Sequence, residues 1–128
     1  MTSLERAIQE SLVGGKLPCV NAFLVAEGEG VAPRAVGGEA TRLSIRISRC
    51  QLGLFGYEST GQKRIVHPEE KVSRQLERAI RVRLIDGRLP CEAAWEIASQ
   101  QKLSKLDVAT AAETLHVRIS ACQLGCFN

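Results

Sequence analysis

Aromatic side chains are scarce in this sequence, with one Trp, one Tyr and three Phe among 128 residues. Methionine occurs once and proline four times. No apolar run approaches the roughly 18 residues that a bilayer crossing needs, which excludes a membrane-spanning helix. Neither sign of charge dominates: 17 Lys and Arg stand against 14 Asp and Glu, a net +3. Disorder is excluded as well, because 45% of the residues are hydrophobic and only 24% charged. The opening Met-Thr-Ser-Leu-Glu-Arg has an acid at position five and no apolar signal core, which predicts a cytoplasmic protein. Catalytic fingerprints are missing too. There is no G-x-S-x-G, P-loop, H-E-x-x-H or dinucleotide glycine pattern, and Gly28-Glu29-Gly30 lacks the preceding strand a phosphate cradle requires. His67 and His116 have no partner at catalytic spacing. The sequence therefore predicts neither an enzyme nor a cofactor.

What is present is a duplication. Shifting the chain by 72 positions aligns residues 4–56 with 76–128 without a gap, with 23 of 53 positions identical. Leu-Glu-Arg-Ala-Ile at 4–8 recurs at 76–80, G-K-L-P-C becomes G-R-L-P-C, and I-S-R-C-Q-L-G-L-F becomes I-S-A-C-Q-L-G-C-F. The period exceeds that of solenoid units, so each copy is expected to be a small domain. The expected division is 1–56, a polar linker 57–67, and 68–128. Copies of this size are marginal alone and carry few aromatics, so they are expected to pack together about a pseudo-twofold axis.

Each copy reads as helix, helix, helix and a short hairpin. Thr2-x-x-Glu5 caps a first helix with Leu4, Ala7, Ile8 and Leu12 at helical spacing, ended by Gly14-Gly15. In the second copy Pro68 is expected to start a longer helix, stopped by Asp86-Gly87. On this helix Glu70 and Glu77 precede Arg74 and Arg81 by four residues, which predicts a solvated, partly neutralised face. Pro18 and Pro90 suit the first position of a second helix. The third helices start at Pro33 and after the N-cap Ser104, with Val36, Ala40, Leu43 and Val108, Ala112, Leu115 as inner stripes. Residues 44–48 and 116–120 alternate apolar and polar, a strand signature, and Leu54-Phe55 or Cys126-Phe127 would supply the returning strand.

That order, with Val25-Ala26, Val31 and Val36 in one copy and Ile97-Ala98, Leu103 and Val108 in the other, resembles the winged helix-turn-helix family of bacterial DNA-binding domains. Small side chains permit the close crossing of two helices, and the flanking apolar residues seal the corner. Gly30 stands at the usual turn glycine; Lys102 departs from it in the second copy. The expected fold class is mainly α with short β-hairpins, a duplicated three-helix, winged-helix-like domain. The resemblance implies a transcriptional regulator that binds double-stranded DNA, with the third helix in the major groove. Positions outward from Val36 are Arg34, Gly38 and Thr41, flanked by Gly37 and Arg42, and Arg34, Thr41 and Arg42 are the direct-readout candidates. Arg46, Arg49 and Arg118 would contact phosphates. The second copy presents Leu106, Thr110 and Glu113 instead, which suits a groove poorly. Gly37-Gly38 weakens its helix, either for ordering by a ligand or for close packing on a neighbour. With +2 on residues 1–64 and +1 on 65–128, a basic footprint must come from arrangement or from a homodimer. A protein-interaction module on the same scaffold is the alternative.

Five cysteines complete the inventory: Cys19 and Cys91, Cys50 and Cys122 in repeat-equivalent pairs, and Cys126 alone. Disulfides are not expected without a secretory signal. A thiolate metal or redox site would draw on Cys91, Cys122 and Cys126, yet the C-x-x-x-C spacing is looser than that of common zinc sites, so no metal is expected. The opposing reading makes the thiols small soft fillers of a core.

Overall fold

The structure, a computed structural model, describes residues 1–128 apart from the side chain of Ser59. It is mainly helical with short β segments, in the order α1 Ser3–Glu10, β1 Leu17–Pro18, α2 Cys19–Glu29, α3 Pro33–Arg42 and β2 Ile47–Ser48. A 3-10 turn at Glu58–Thr60 follows, then α4 Arg74–Val82, β3 Leu89–Pro90, α5 Cys91–Gln101, α6 Lys105–Thr114 and β4 Ile119–Ser120.

Local chemistry accounts for the helix boundaries. Thr2 accepts a hydrogen bond from the Glu5 amide at 3.1 Å, and Ser104 and Asp107 form a reciprocal capping box at the start of α6. Pro33 occupies the first turn of α3, where its missing N–H leaves no intrahelical bond unmade. Pro18 and Pro90 stand one place earlier than expected, as N-caps, so that Cys19 and Cys91 open their helices. Gly30 ends α2 in the left-handed region, and Lys102 adopts the same turn with φ 56° at the end of α5. The departure from glycine at position 102 thus leaves the backbone path unchanged. The fourth helix is shorter than the sequence predicts: it begins at Arg74 after the Ser73 cap, whose hydroxyl accepts from the Leu76 amide. Pro68 and Glu70 lie before it, so the expected Glu70–Arg74 helical pair is not formed, while Glu77 and Arg81 pair at 3.4 Å.

The expected hairpins are corrected. β2 pairs parallel with β1, Leu17 opposite Ile47, and β4 pairs parallel with β3, Leu89 opposite Ile119. Of the strands expected over 44–48 and 116–120 only the last two residues form one; Ile45 and Ile47 pack on the core and Arg46 faces out, but Ser48 is buried. The partner of β2 is the Leu-Pro segment before α2, and the Leu17 amide donates to the Arg46 carbonyl at 2.9 Å. The C-Q-L-G segment does turn back, with Cys50 N–H bonded to the Phe55 carbonyl at 3.1 Å. It continues as a loop because Leu52 is drawn into the other half of the molecule.

That exchange organises the core. One apolar cluster joins Ile8, Leu17, Ala22, Val36 and Ala40 to Cys122 and Leu124 from the far end of the chain. The other joins Leu76, Ile80, Leu89, Ile97 and Val108 to Cys50 and Leu52. Each C-Q-L-G turn therefore completes the core of the opposite half. Residues 57–67 are tied down as well: Tyr57 donates its hydroxyl to the Cys50 carbonyl at 2.7 Å, and Val66 is buried in the second cluster.

Candidate functional site: two clefts beside the Phe55–Phe127 pair

Residues 72 positions apart meet where the halves join. Phe23 and Trp95 stack with ring centroids 4.4 Å apart, and Phe55 meets Phe127 edge to face at 6.4 Å. Between these pairs lies a narrow cavity of about 10 Å³. Its walls are Cys19, Phe23, Cys50, Gln51, Leu52 and Phe55 together with the six residues 72 positions on. Such a space holds at most one water molecule.

Four buried thiols line this cavity. The Gln51 amide donates to Cys19 Sγ at 3.5 Å, and Gln123 donates to Cys91 Sγ at the same distance. Burial pushes the Cys19 and Cys50 thiols up, and Cys91 to about 11, so all three stay neutral. Among the described residues no three His, Cys, Asp or Glu side chains are placed to hold a metal ion. The candidate trio Cys91, Cys122 and Cys126, at which no metal is expected, forms no such group; Cys91 Sγ accepts from Gln123. The neighbouring Cys126 thiol and the backbone amides of residues 124–126 lower Cys122 to about 5, and Cys126 is raised.

Outside the Phe55–Phe127 pair, two open clefts meet at these rings. The cleft of about 580 Å³ carries Lys16, Thr41, Arg46, Glu58 and Cys126. Its counterpart, about 570 Å³, carries Arg64, Glu113, His116 and Arg118. Of the six residues singled out in the sequence, Thr41 and Arg46 share the first cleft and Arg118 lies in the second. Arg46 and Arg118 are exposed, as is Arg49, and among the described residues no carboxylate pairs with them. Arg34 is exposed and stands beside Gly125 of the opposite half.

Two of the six are otherwise engaged. Arg42 reaches Glu5 at 2.7 Å and also pairs with Glu39. The Thr41 hydroxyl donates back to the Gly37 carbonyl at 3.0 Å. The outward flank expected on α3 is only partly open, because Gly37 is buried against Leu124 while Gly38 faces solvent. On α6, Leu106 packs against Gly53 and the second core. The close-packing reading of Gly37 is thus the structural one. Sequence reasoning missed Lys16 and Arg64. Lys16 precedes the repeated L-P-C and has Arg88 as its counterpart, a usable signal; Arg64 lies between the copies and gives none.

Compared with protein-family models, with curated proteins and with solved structures, the chain matches none. Among the described residues no helix is long and apolar enough to cross a membrane.

Proposed function

We propose that this chain is a non-enzymatic, cytoplasmic DNA-binding protein, a regulator of transcription. In this reading it is built from two helix-turn-helix-like copies related by an approximate twofold axis, with a short parallel ladder where a winged domain has its hairpin. The carrying observation is the pair of matched clefts that open on either side of Phe55 and Phe127, one presenting Lys16 and Arg46, the other Arg118 beside an Arg64 that Glu113 holds at 2.9 Å. Cations on both sides of a local axis suit the two phosphate strands of a duplex. Arg46, Arg49 and Arg118 hold phosphates, and Arg34 and Thr41 approach base edges from the first copy. Arg42 contributes less than its sequence position promises, since two carboxylates already occupy it.

The test is the affinity for a fluorescent duplex across a salt series. Three guanidinium–phosphate contacts give a slope of log K against log salt of about −3. Arg46→Ala and Arg118→Ala each flatten that slope by about one. Absence of binding at low salt overturns the reading.

A second reading has its own observation. Val20 and Leu24, four residues apart on α2, are exposed, as are Val13, Val82 and Ile85. Apolar groups so placed favour a protein partner, a second copy of this chain in the first instance. Sedimentation of the wild type against Leu24→Glu separates a homodimer, which the substitution dissociates, from a monomer that it leaves unchanged.

A further inference from the structure

The two clefts beside Phe55 and Phe127 differ in charge arrangement. In the first, Lys16 and Arg46 stand on neighbouring segments. The Leu17 amide donates to the Arg46 carbonyl at 2.9 Å, and the Leu17–Ile47 register sets Lys16 alongside Arg46 at the roughly 5 Å spacing of adjacent strands. Reciprocal hydrogen bonds with Val13, at 2.7 and 3.2 Å, fix the Lys16 backbone. Among the described residues neither cation pairs with a carboxylate. At the rim, the turn that ends α3 brings Thr41 and Ser44 together, with the Ser44 amide donating to the Thr41 carbonyl at 3.0 Å. In the second cleft the residues 72 positions on are Glu113 and His116, and Glu113 binds Arg64 at 2.9 Å. The first cleft thus offers two adjacent free cations, where the second is partly neutralised.

We infer that the first cleft binds a free amino-purine nucleoside 5′-monophosphate. Lys16 and Arg46 face its phosphate, a monoester with a charge of about −2 near neutral pH. The Thr41 hydroxyl already donates to the Gly37 carbonyl at 3.0 Å and can only accept, so with Ser44 it suits the ribose hydroxyls. Phe55 and Phe127 meet edge to face, and the ring that supplies the edge keeps its faces clear of its partner, open to stacking by the base. Glu58, on the same cleft and without a cationic partner among the described residues, accepts from the exocyclic amine. A volume of about 580 Å³ is that of a small-ligand site. The site shares Lys16 and Arg46 with the proposed duplex surface but does not rest on that reading.

Equilibrium dialysis of the full chain against labelled adenosine monophosphate, without DNA, tests the inference. One nucleotide per chain is expected, displaced at least about fivefold less well by adenosine, inorganic phosphate or inosine monophosphate, which lacks the amine. The methyl ester of adenosine monophosphate, whose single charge imitates a nucleotide within a nucleic-acid strand, is also weaker by about fivefold or more. Arg46→Ala and Thr41→Glu, the latter copying position 113, each weaken binding by about tenfold, while Arg118→Ala leaves it unchanged. Both altered side chains are exposed, and circular dichroism checks their folding; Lys16→Ala replaces either variant if it fails. Absence of binding, any competitor that matches adenosine monophosphate, or a loss in Arg118→Ala with none in Arg46→Ala overturns the inference. Failure to bind duplex, measured separately, overturns the duplex reading alone.

Discussion

Gly37 lies so close beneath Leu124 that a methyl group at its Cα would overlap the Leu124 carbonyl oxygen. The next residue, Gly38, has open space around it. Two adjacent glycines of one helix therefore answer oppositely to the same substitution. Gly38→Ala stabilises the protein by about 0.5–1 kcal/mol through helix propensity. Gly37→Ala loses about 1–3 kcal/mol to overpacking against backbone that has nowhere to go. Urea denaturation of the two variants checks the opposite signs.

Leu52 is chemically part of the first copy but buried in the core of the second. Leu52→Ala removes about 2–5 kcal/mol. Hydrogen exchange should show the lost protection in α5 and α6 rather than in α1 and α2.

Lys102 ends α5 in the left-handed region at φ 56°, where a side chain meets its own carbonyl. Lys102→Gly relieves this and raises stability by about 1 kcal/mol. A higher denaturation midpoint at unchanged slope is the expected signature.

The thiols set an alkaline boundary. Cys122 is lowered to about 5 and Cys126 raised, so the folded pair holds one proton between about pH 5 and the ~9 of a free thiol, where the unfolded chain holds two. Stability gained from Cys122 is complete above the unfolded pKa and is lost as pH falls through the folded one. Above pH ~9 the sign reverses: the unfolded chain sheds protons that Cys126, Cys19, Cys50 and Cys91 keep when folded. Stability should rise with pH up to the free-thiol range and fall beyond it. Cys126→Leu removes the rising limb, and chemical denaturation at stepped pH reads both limbs.

Helices were legible in the sequence because their signals are local. Ser104 with Asp107, Pro33, and the stripes through Val36 and Val108 place α3 and α6 without knowledge of the rest of the chain. Pairing of the strands was not legible, because two residues contain nothing that selects a partner. Leu17 is 30 positions from Ile47, and only the fold brings them together. The candidate site was half visible. Arg46 and Arg118 were flagged by the repeat, whereas the engagement of Arg42 by Glu5 depends on α1 packing across α3. Gly37 was ambiguous for a related reason, since the carbonyl it makes room for belongs to the far end of the chain.

The swapped C-Q-L-G turns bear on how such a chain could arise. Either half in isolation would show an empty socket where its neighbour's leucine belongs and an unsheltered leucine of its own. Two molecules of that half would satisfy one another's vacancies, as a handshake does. Joining them in a single polypeptide makes the grip permanent and concentration-independent, and frees the halves to diverge, as Arg34 and Leu106 have done at matching places.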